Sequence, residues 1–130
     1  MEPSRTLFQV ALATVAGALG AHTLPGHLSA DRLGVYDIAV RYQFYQSLGL
    51  LVMGVLLRGL NPDNLTAVKR LAVQSFVSAP RALLSGIVLF CGSLYALSLG
   101  APSWVGIVTP VGGVLLIGGW LFFAYYIWRL

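Results

Sequence analysis

The chain has 130 residues, of which 58% are hydrophobic and only 9% are charged. An average soluble domain is about 25% charged, and a soluble protein this small has too little interior to hide so much apolar surface. The composition therefore excludes an ordinary soluble domain and predicts a single membrane domain over residues 1–130.

The net charge of +4 comes from eight lysines and arginines against four acids. These basic residues are scattered between apolar segments and form no basic patch, so we expect no nucleic acid partner. The single cysteine, Cys91, lies inside an apolar segment and cannot form an internal disulfide. A lone buried thiol usually behaves as a small hydrophobic residue.

The first predicted transmembrane helix covers residues 7–24, an apolar run long enough to cross a bilayer. Pro25 and Gly26 follow it and favour a stop. Arg5 before the run, and the small residues near its end, also resemble a cleavable signal peptide. Because three further apolar segments follow, we interpret this segment as an uncleaved helix.

The second predicted span, residues 42–57, continues a polar helix start at residues 27–41. Ser29 is suited to cap that helix, because a serine hydroxyl accepts a hydrogen bond from the first-turn backbone. Asp37 and Arg41 are four residues apart with the acid first, so they can pair along one helix face. We expect this polar start to lie at the membrane interface.

The third and fourth predicted spans come from the C-terminal half of the chain. Residues 71–100 are apolar for longer than a bilayer requires, and Pro80 divides them, so the third span is placed at residues 81–99. The fourth span is placed at residues 104–128. Pro110 either starts a regular helix within that span or kinks a longer helix.

The distribution of basic residues predicts the orientation, because cytoplasmic loops carry an excess of lysine and arginine. With four spans and the N-terminus inside, the cytoplasmic side holds Arg5, Arg58, Lys69, Arg70, Arg81 and Arg129. The opposite side holds only Arg32 and Arg41. The predicted fold is an all-α, polytopic membrane four-helix bundle with both termini in the cytoplasm (N-in/C-in).

Small residues recur at helical spacing in three of the spans, and such residues let membrane helices approach closely. The predicted packing seam consists of Ala13, Gly17, Gly20, Ala21, Gly92, Ala96, Gly112 and Gly119. These seams favour a compact bundle, and they are equally suited to docking onto another protein. The sequence leaves both uses open.

A polar cluster near the outer helix ends is the candidate binding site. It consists of His22, Gln43, Gln46, Ser93 and Thr109. The cluster would either bind a ligand or serve as a structural hydrogen-bond network between helices. At His22, a metal or tetrapyrrole ligand is the alternative to an imidazole that caps the helix end, and one imidazole does not make a metal site.

The acidic residues lie outside the apolar spans, at Glu2, Asp31, Asp37 and Asp63. Ion-coupled pumps carry an ionisable residue in the membrane interior, so the small ion-coupled exporters are excluded. The sequence also lacks a nucleophile–base pair, a phosphate-binding loop and a set of metal ligands. We therefore expect no enzyme, no catalytic residues, no metal and no cofactor.

Five motifs occur in order along nearly the whole chain. They are Gly17-Ala18-Leu19-Gly20-Ala21-His22, Tyr42-Gln43-Phe44-Tyr45, Phe90-Cys91-Gly92-Ser93-Leu94-Tyr95, Thr109-Pro110-Val111-Gly112-Gly113 and Gly119-Trp120. With them the chain resembles the small membrane protein family catalogued as domain of unknown function 423, the YgdD/YwdK type, whose animal relatives are called transmembrane protein 256. The resemblance implies a four-span, multi-pass protein of the bacterial inner membrane, and no particular activity.

The chain departs from that family pattern at two positions. The pattern usually has a histidine where this chain has Gln46, and a serine where it has Cys91. Glutamine forms hydrogen bonds but does not titrate near neutral pH, so a titrating partner for His22 is missing here. Residues 64–79 also look longer than the family pattern, which would mark a contact specific to this chain.

The leading functional hypothesis is an accessory or scaffold subunit of a larger membrane complex. Its partners would be the lipid bilayer and other membrane subunits, or a second copy of the chain. The alternative is a small carrier or ligand-binding membrane protein that uses the outer polar cluster.

Overall fold

The computed structural model describes residues 3–59 and 78–129. Within these residues the chain forms four α-helices and no strand, which confirms the predicted all-α class. The helices are α1 (Pro3–His22), α2 (Ala30–Gly59), α3 (Ser78–Ser98) and α4 (Val108–Arg129). Short 3-10 helices lie between α1 and α2 at Leu24–Gly26 and before α4 at Ser103–Ile107. The predictions for Lys69, Arg70 and most of the 64–79 stretch fall outside the described residues.

Helix α2 begins as its sequence predicts. The Arg32 backbone N–H donates to the Ser29 Oγ over 3.4 Å, which confirms Ser29 as the cap. Farther along the helix, Arg41 Nε lies 2.8 Å from Asp37 Oδ2, which confirms the predicted ion pair. Both side chains are more than half exposed, so this pair contributes little to stability.

Helix α3 ends in a Schellman motif that depends on Gly100. Gly100 has a φ of +105°, a left-handed conformation that costs glycine nothing. Its N–H donates to the Leu97 carbonyl over 3.2 Å, and the Ala101 N–H donates to the Ala96 carbonyl over 2.9 Å. These two bonds satisfy carbonyls that a helix end leaves free, and the chain can turn toward α4.

The proline inside the fourth predicted span lies in a first helical turn. Helix α4 starts at Val108, so Pro110 is placed where a missing N–H removes no helical hydrogen bond. Of the two possibilities left open by the sequence, the structure has the regular helix that starts beside Pro110.

The helices pack as neighbours in chain order, with α1 against α2, α2 against α3, and α3 against α4. The apolar core lies among α2, α3 and α4. Its buried members are Ala39, Leu50, Met53, Ala79, Leu83, Ile87, Cys91 and Leu116. Helix α1 therefore lies on one flank of the row and α4 on the other.

Two stretches of the described chain, Ser78–Ser98 and Ser103–Arg129, are long and apolar enough to cross a membrane. The flanking helices also expose large hydrophobic side chains on their outward faces. Examples are Leu7, Phe8, Leu12, Val15, Leu19, Val111, Val114, Ile117 and Leu121. Water-soluble proteins rarely expose contiguous apolar faces of this kind, whereas hydrocarbon solvates them without cost.

Glycines bring α3 and α4 into close contact. A Cβ added at Gly112 would lie 2.8 Å from the Phe90 Cα, and one at Gly119 would lie 2.8 Å from the Leu83 Cγ. Of the other predicted seam residues, Ala13 is buried, Ala96 is half-buried and Ala21 is exposed. The remaining three are glycines with unequal surroundings.

Gly20 and Gly17 both face α2. A Cβ at Gly20 would lie 2.8 Å from the Tyr36 ring, whereas one at Gly17 would lie 3.4 Å from Val40, an ordinary contact. Gly92 has no neighbouring atom within 4 Å of that position, so it faces away from the other helices. Close approaches also occur outside the predicted seam, at Gly49 against Trp120 and at Gly86 against Leu116.

Candidate functional site

Gln43 joins three helices through its side-chain amide. The Tyr95 hydroxyl donates to Gln43 Oε1 over 2.7 Å, and Gln43 Nε2 donates to Gln9 Oε1 over 3.3 Å. The amide thereby connects α2 to α3 on one side and to α1 on the other. Gln43 is only 7% exposed, so these bonds form where water cannot replace them.

Two tyrosines extend this network toward the C-terminal end of α1. The Tyr36 hydroxyl donates to the Ala16 carbonyl of α1 over 2.8 Å. The Tyr36 and Tyr95 rings meet edge to face with centroids 5.1 Å apart, a favourable arrangement for aromatic pairs. Tyr36 therefore fixes α1 by its hydroxyl and α3 by its ring.

Ser93 and Thr109 form a second polar contact, between α3 and α4. Their hydroxyl oxygens are 2.7 Å apart, and the Ser93 hydroxyl also donates to the Phe90 carbonyl over 2.9 Å. A hydroxyl has one proton to donate. With the Ser93 proton on the Phe90 carbonyl, Thr109 is the donor in the contact between the two helices.

Gln46 takes part in a third contact, between α2 and α4. The Trp120 Nε1–H donates to Gln46 Oε1 over 2.6 Å. The Trp120 ring also lies on Gly49, where a Cβ would come within 2.6 Å of Cη2. The absence of a side chain at Gly49 therefore makes room for the indole that closes the contact.

Four of the five predicted site residues thus serve in three separate contacts between helices, and the fifth, His22, lies apart from them. Ser93 and Thr109 bond to each other instead of to Gln43 or Gln46. His22 is exposed at the C-terminal end of α1, outside these contacts. In the described chain, every buried side-chain nitrogen and oxygen has a hydrogen-bond partner.

Sequence reasoning misses four polar partners: Gln9, Tyr36, Tyr95 and Trp120. Gln9 carries a signal, because it interrupts an otherwise apolar span. The two tyrosines and the tryptophan carry none, since aromatic residues are also common at membrane interfaces. Among the described residues, no three histidine, cysteine or acidic side chains group closely enough to hold a metal ion.

A groove of about 380 Å³ runs between α1 and the first half of α2. Its walls are mostly small or apolar, and they consist of Gly17, Gly20, Ala21, Ala30, Leu33, Gly34, Tyr36, Asp37 and Val40. Asp37 is the one charged residue of the wall, and it is paired with Arg41. The groove can accept an apolar segment along its length and a polar group beside Asp37. We call it the α1/α2 groove.

An all-helical chain with apolar outward faces and hydrogen bonds between its helices defines a helical membrane protein. A family model described as "Protein of unknown function (DUF423)" matches residues 16–113, and the chain belongs to this family. The match starts within α1 and ends in the first half of α4. It includes both walls of the α1/α2 groove.

The curated relatives are named as membrane proteins. A UPF0382 membrane protein of Staphylococcus saprophyticus is 43% identical over 110 residues, which cover 85% of this chain and 82% of the relative. The UPF0382 membrane protein YwdK of Bacillus subtilis is 39% identical over 110 residues, with 85% and 81% covered. A UPF0382 membrane protein of Haemophilus influenzae is 38% identical over 109 residues, with 84% and 78% covered. No solved structure matches the chain.

Proposed function

We propose that this membrane protein is an accessory or scaffold subunit of a larger membrane complex, and that the α1/α2 groove receives an apolar helix of a partner subunit. One observation carries the proposal. The buried polar groups of the described residues bond to one another, while a groove of about 380 Å³ with small walls stays open. This role needs neither catalytic residues nor a cofactor.

The chemistry of the groove favours a helix as its occupant. Helices in a bilayer associate by close packing at small residues, because lipid tails solvate leucine as well as another helix does. Ala21 and Gly34 provide small residues on the two opposite walls, and both are exposed. A partner helix that ends near Asp37 would place its own polar terminus at the level of the Asp37–Arg41 pair.

We also propose an N-in/C-in orientation in the bacterial inner membrane, with several passes. Four described arginines support it, because they lie at the ends of the four antiparallel helices that face one side: Arg5, Arg58, Arg81 and Arg129. At the opposite end, Arg32 and Arg41 are balanced by Asp31 and Asp37. An excess of positive charge marks the cytoplasmic side.

The alternative, a carrier or ligand-binding protein, has weaker support. It requires the polar cluster to offer free hydrogen-bonding groups to a ligand. Gln43, Gln46 and Ser93 instead have partners on neighbouring helices at 2.6–3.3 Å. Opening the site to a ligand would break contacts that hold the helices in register.

The test compares two leucine substitutions of open helical glycines. Gly34→Leu fills the α1/α2 groove, whereas Gly118→Leu adds the same side chain to the outward face of α4, and neither position has an atom within 4 Å of a new Cβ. Tagged chains are purified in a mild detergent, and bound proteins are measured by quantitative mass spectrometry. We expect a larger membrane subunit to co-purify with the wild type and with Gly118→Leu, and to be lost from Gly34→Leu.

Two results would overturn this proposal. One is a chain that runs alone at every detergent strength. The other is an equal loss of the partner from both variants at full folded yield, because that would place the contact outside the groove.

A further inference from the structure

We propose that the partner helix in the α1/α2 groove carries a lysine or an arginine that pairs with Asp37. This inference rests on the proposed subunit role and names the chemistry by which the groove would select its partner. Among the described residues, Asp37 is the one charged side chain of the groove wall, and Arg41 is not part of that wall. A cation on the incoming helix therefore meets a carboxylate without a like charge beside it in the groove.

The existing ion pair leaves part of the Asp37 carboxylate available. Asp37 Oδ2 lies 2.8 Å from Arg41 Nε, which is a contact through one oxygen only. A carboxylate has two oxygens with about four acceptor sites, so a second donor can bind without displacing the first. The Asp37 side chain is 54% exposed, and a partner can reach it from the groove.

The contact between α1 and α2 places Asp37 at the level of an apolar outward face. Val40 meets Gly17, and Asp37 lies one turn before Val40. Because α1 and α2 are antiparallel, the residues level with Asp37 lie about one turn after Gly17. Leu19 lies there and is 46% exposed. The carboxylate is therefore level with a side chain that favours hydrocarbon.

Contacts on the other side of α2 lead to the same level. The ring of Tyr36, which precedes the aspartate, meets the ring of Tyr95 on α3. Two residues earlier on α3, Ser93 meets Thr109 on α4. The residue of α4 that is level with the carboxylate therefore lies about two residues before Thr109. Ile107 lies at that point and is 72% exposed.

At this depth Asp37 depends on a partner more than Arg41 does. An arginine has a long apolar stem and can extend its guanidinium to the lipid headgroups. An aspartate has one methylene group and cannot extend in this way. Ionisable side chains at membrane depth pair with one another, and hydrogen bonds between a cation and a carboxylate are about twice as strong as neutral ones. A lysine or an arginine on the partner helix is the group that matches Asp37 best.

The first test repeats the co-purification in mild detergent with Asp37→Asn. Asparagine keeps an acceptor oxygen of the same reach but removes the charge, so it weakens a bond to a cation and not a bond to a neutral donor. We expect about tenfold less of the membrane subunit, which corresponds to about 1.4 kcal/mol. The matched control is Asp31→Asn, an exposed acid of the same helix outside the groove, which should keep the subunit.

The second test exchanges the charges. Asp37→Lys should lose the subunit, because two cations would then meet in the groove. Each lysine and arginine in the transmembrane helices of the co-purifying subunit is then changed to glutamate in that background. We expect one of these changes to restore the complex. Restoration requires a folded Asp37→Lys chain, so it also excludes a folding defect as the cause of the loss.

The outcomes separate this inference from the subunit role. Loss of the subunit from Gly34→Leu but not from Asp37→Asn would overturn the ion pair and leave the subunit role standing. Retention of the subunit in both variants would overturn the subunit role, and the ion pair with it. Equal losses from Asp37→Asn and Asp31→Asn at full folded yield, or no restoration by any glutamate, would also overturn the ion pair.

Discussion

The α3–α4 interface and the α1–α2 interface both contain small residues, but they use them differently. Between α3 and α4, a Cβ added at Gly86, Gly112 or Gly119 would lie within 3.0 Å of an atom on the facing helix. Between α1 and α2, a Cβ added at Gly20 would be equally close to the facing helix, whereas one at Gly17 would make an ordinary contact. A groove of about 380 Å³ remains between these two helices. The first interface is closed by this chain alone, whereas the second is left with room for another molecule.

The difference shows that glycine content does not by itself say whether a helix face is occupied. Whether a helix face is occupied depends on the side chain that the facing helix places against it. Leu83, Phe90 and Leu116 fill the space over the α3–α4 glycines, and Tyr36 does so over Gly20. Among the described residues, no comparable side chain lies next to Ala21 and Gly34, so the groove stays open there.

The largest expected effect is at the closed interface. Gly112→Ala places a methyl group against the Phe90 backbone, which cannot rotate away as a side chain can. Overpacking of this kind costs about 1–3 kcal/mol of unfolding free energy, against a helix-propensity gain of about 1 kcal/mol for alanine. Unfolding in detergent should show a net destabilisation. Gly118→Ala is the matched control, because its Cβ meets open space, and it should be neutral or stabilising.

A smaller effect is expected in the Gln43 network. Gln43→Ala removes the bonds to Gln9 and Tyr95, and hydrogen bonds between membrane helices contribute about 0.6 kcal/mol on average. The folded yield and the unfolding free energy should both fall, and Tyr95→Phe should reproduce part of the loss. His22→Ala should leave both unchanged, because His22 is exposed. If Gln43→Ala instead abolished uptake or binding of a ligand at full folded yield, the carrier alternative would replace the scaffold role.

The smallest effect is expected at the rim of the open interface. The Asp37–Arg41 pair is exposed on both sides, so Asp37→Asn should change the unfolding free energy of the isolated chain by about 1 kcal/mol or less. A loss well above that value would mean that Asp37 is part of the core of this fold. The unfolding midpoint should also respond little to added salt, because so weak a contact leaves little to screen.

The helix ends and several close contacts can be predicted from the sequence because their signals are local. Ser29 at the start of α2 and Gly100 after α3 act within a few residues of chain. Gly112 and Gly119 are also predictable as contact points, since their spacing places them on one helix face. Spacing does not tell which face meets a neighbour, and Gly92 accordingly points away from the other helices.

The candidate site is less accessible to prediction. Gln43 is recognisable as a polar residue of the second span, but its partners Gln9 and Tyr95 depend on how three helices are aligned. That alignment is set by packing over the whole interface and not by any local pattern. The α1/α2 groove has no signal at all in the sequence, since an open volume is defined by side chains that do not reach it.

The most direct test of a partner in the α1/α2 groove is a photo-crosslinking experiment in intact cells. A benzophenone amino acid is placed at Ala21, in the wall of the groove, or at Val114, on the outward face of α4. We expect a discrete crosslink from Ala21 to a second membrane protein, and none from Val114, which should face lipid. A protein crosslink from Val114 with none from Ala21 would contradict the proposed subunit role.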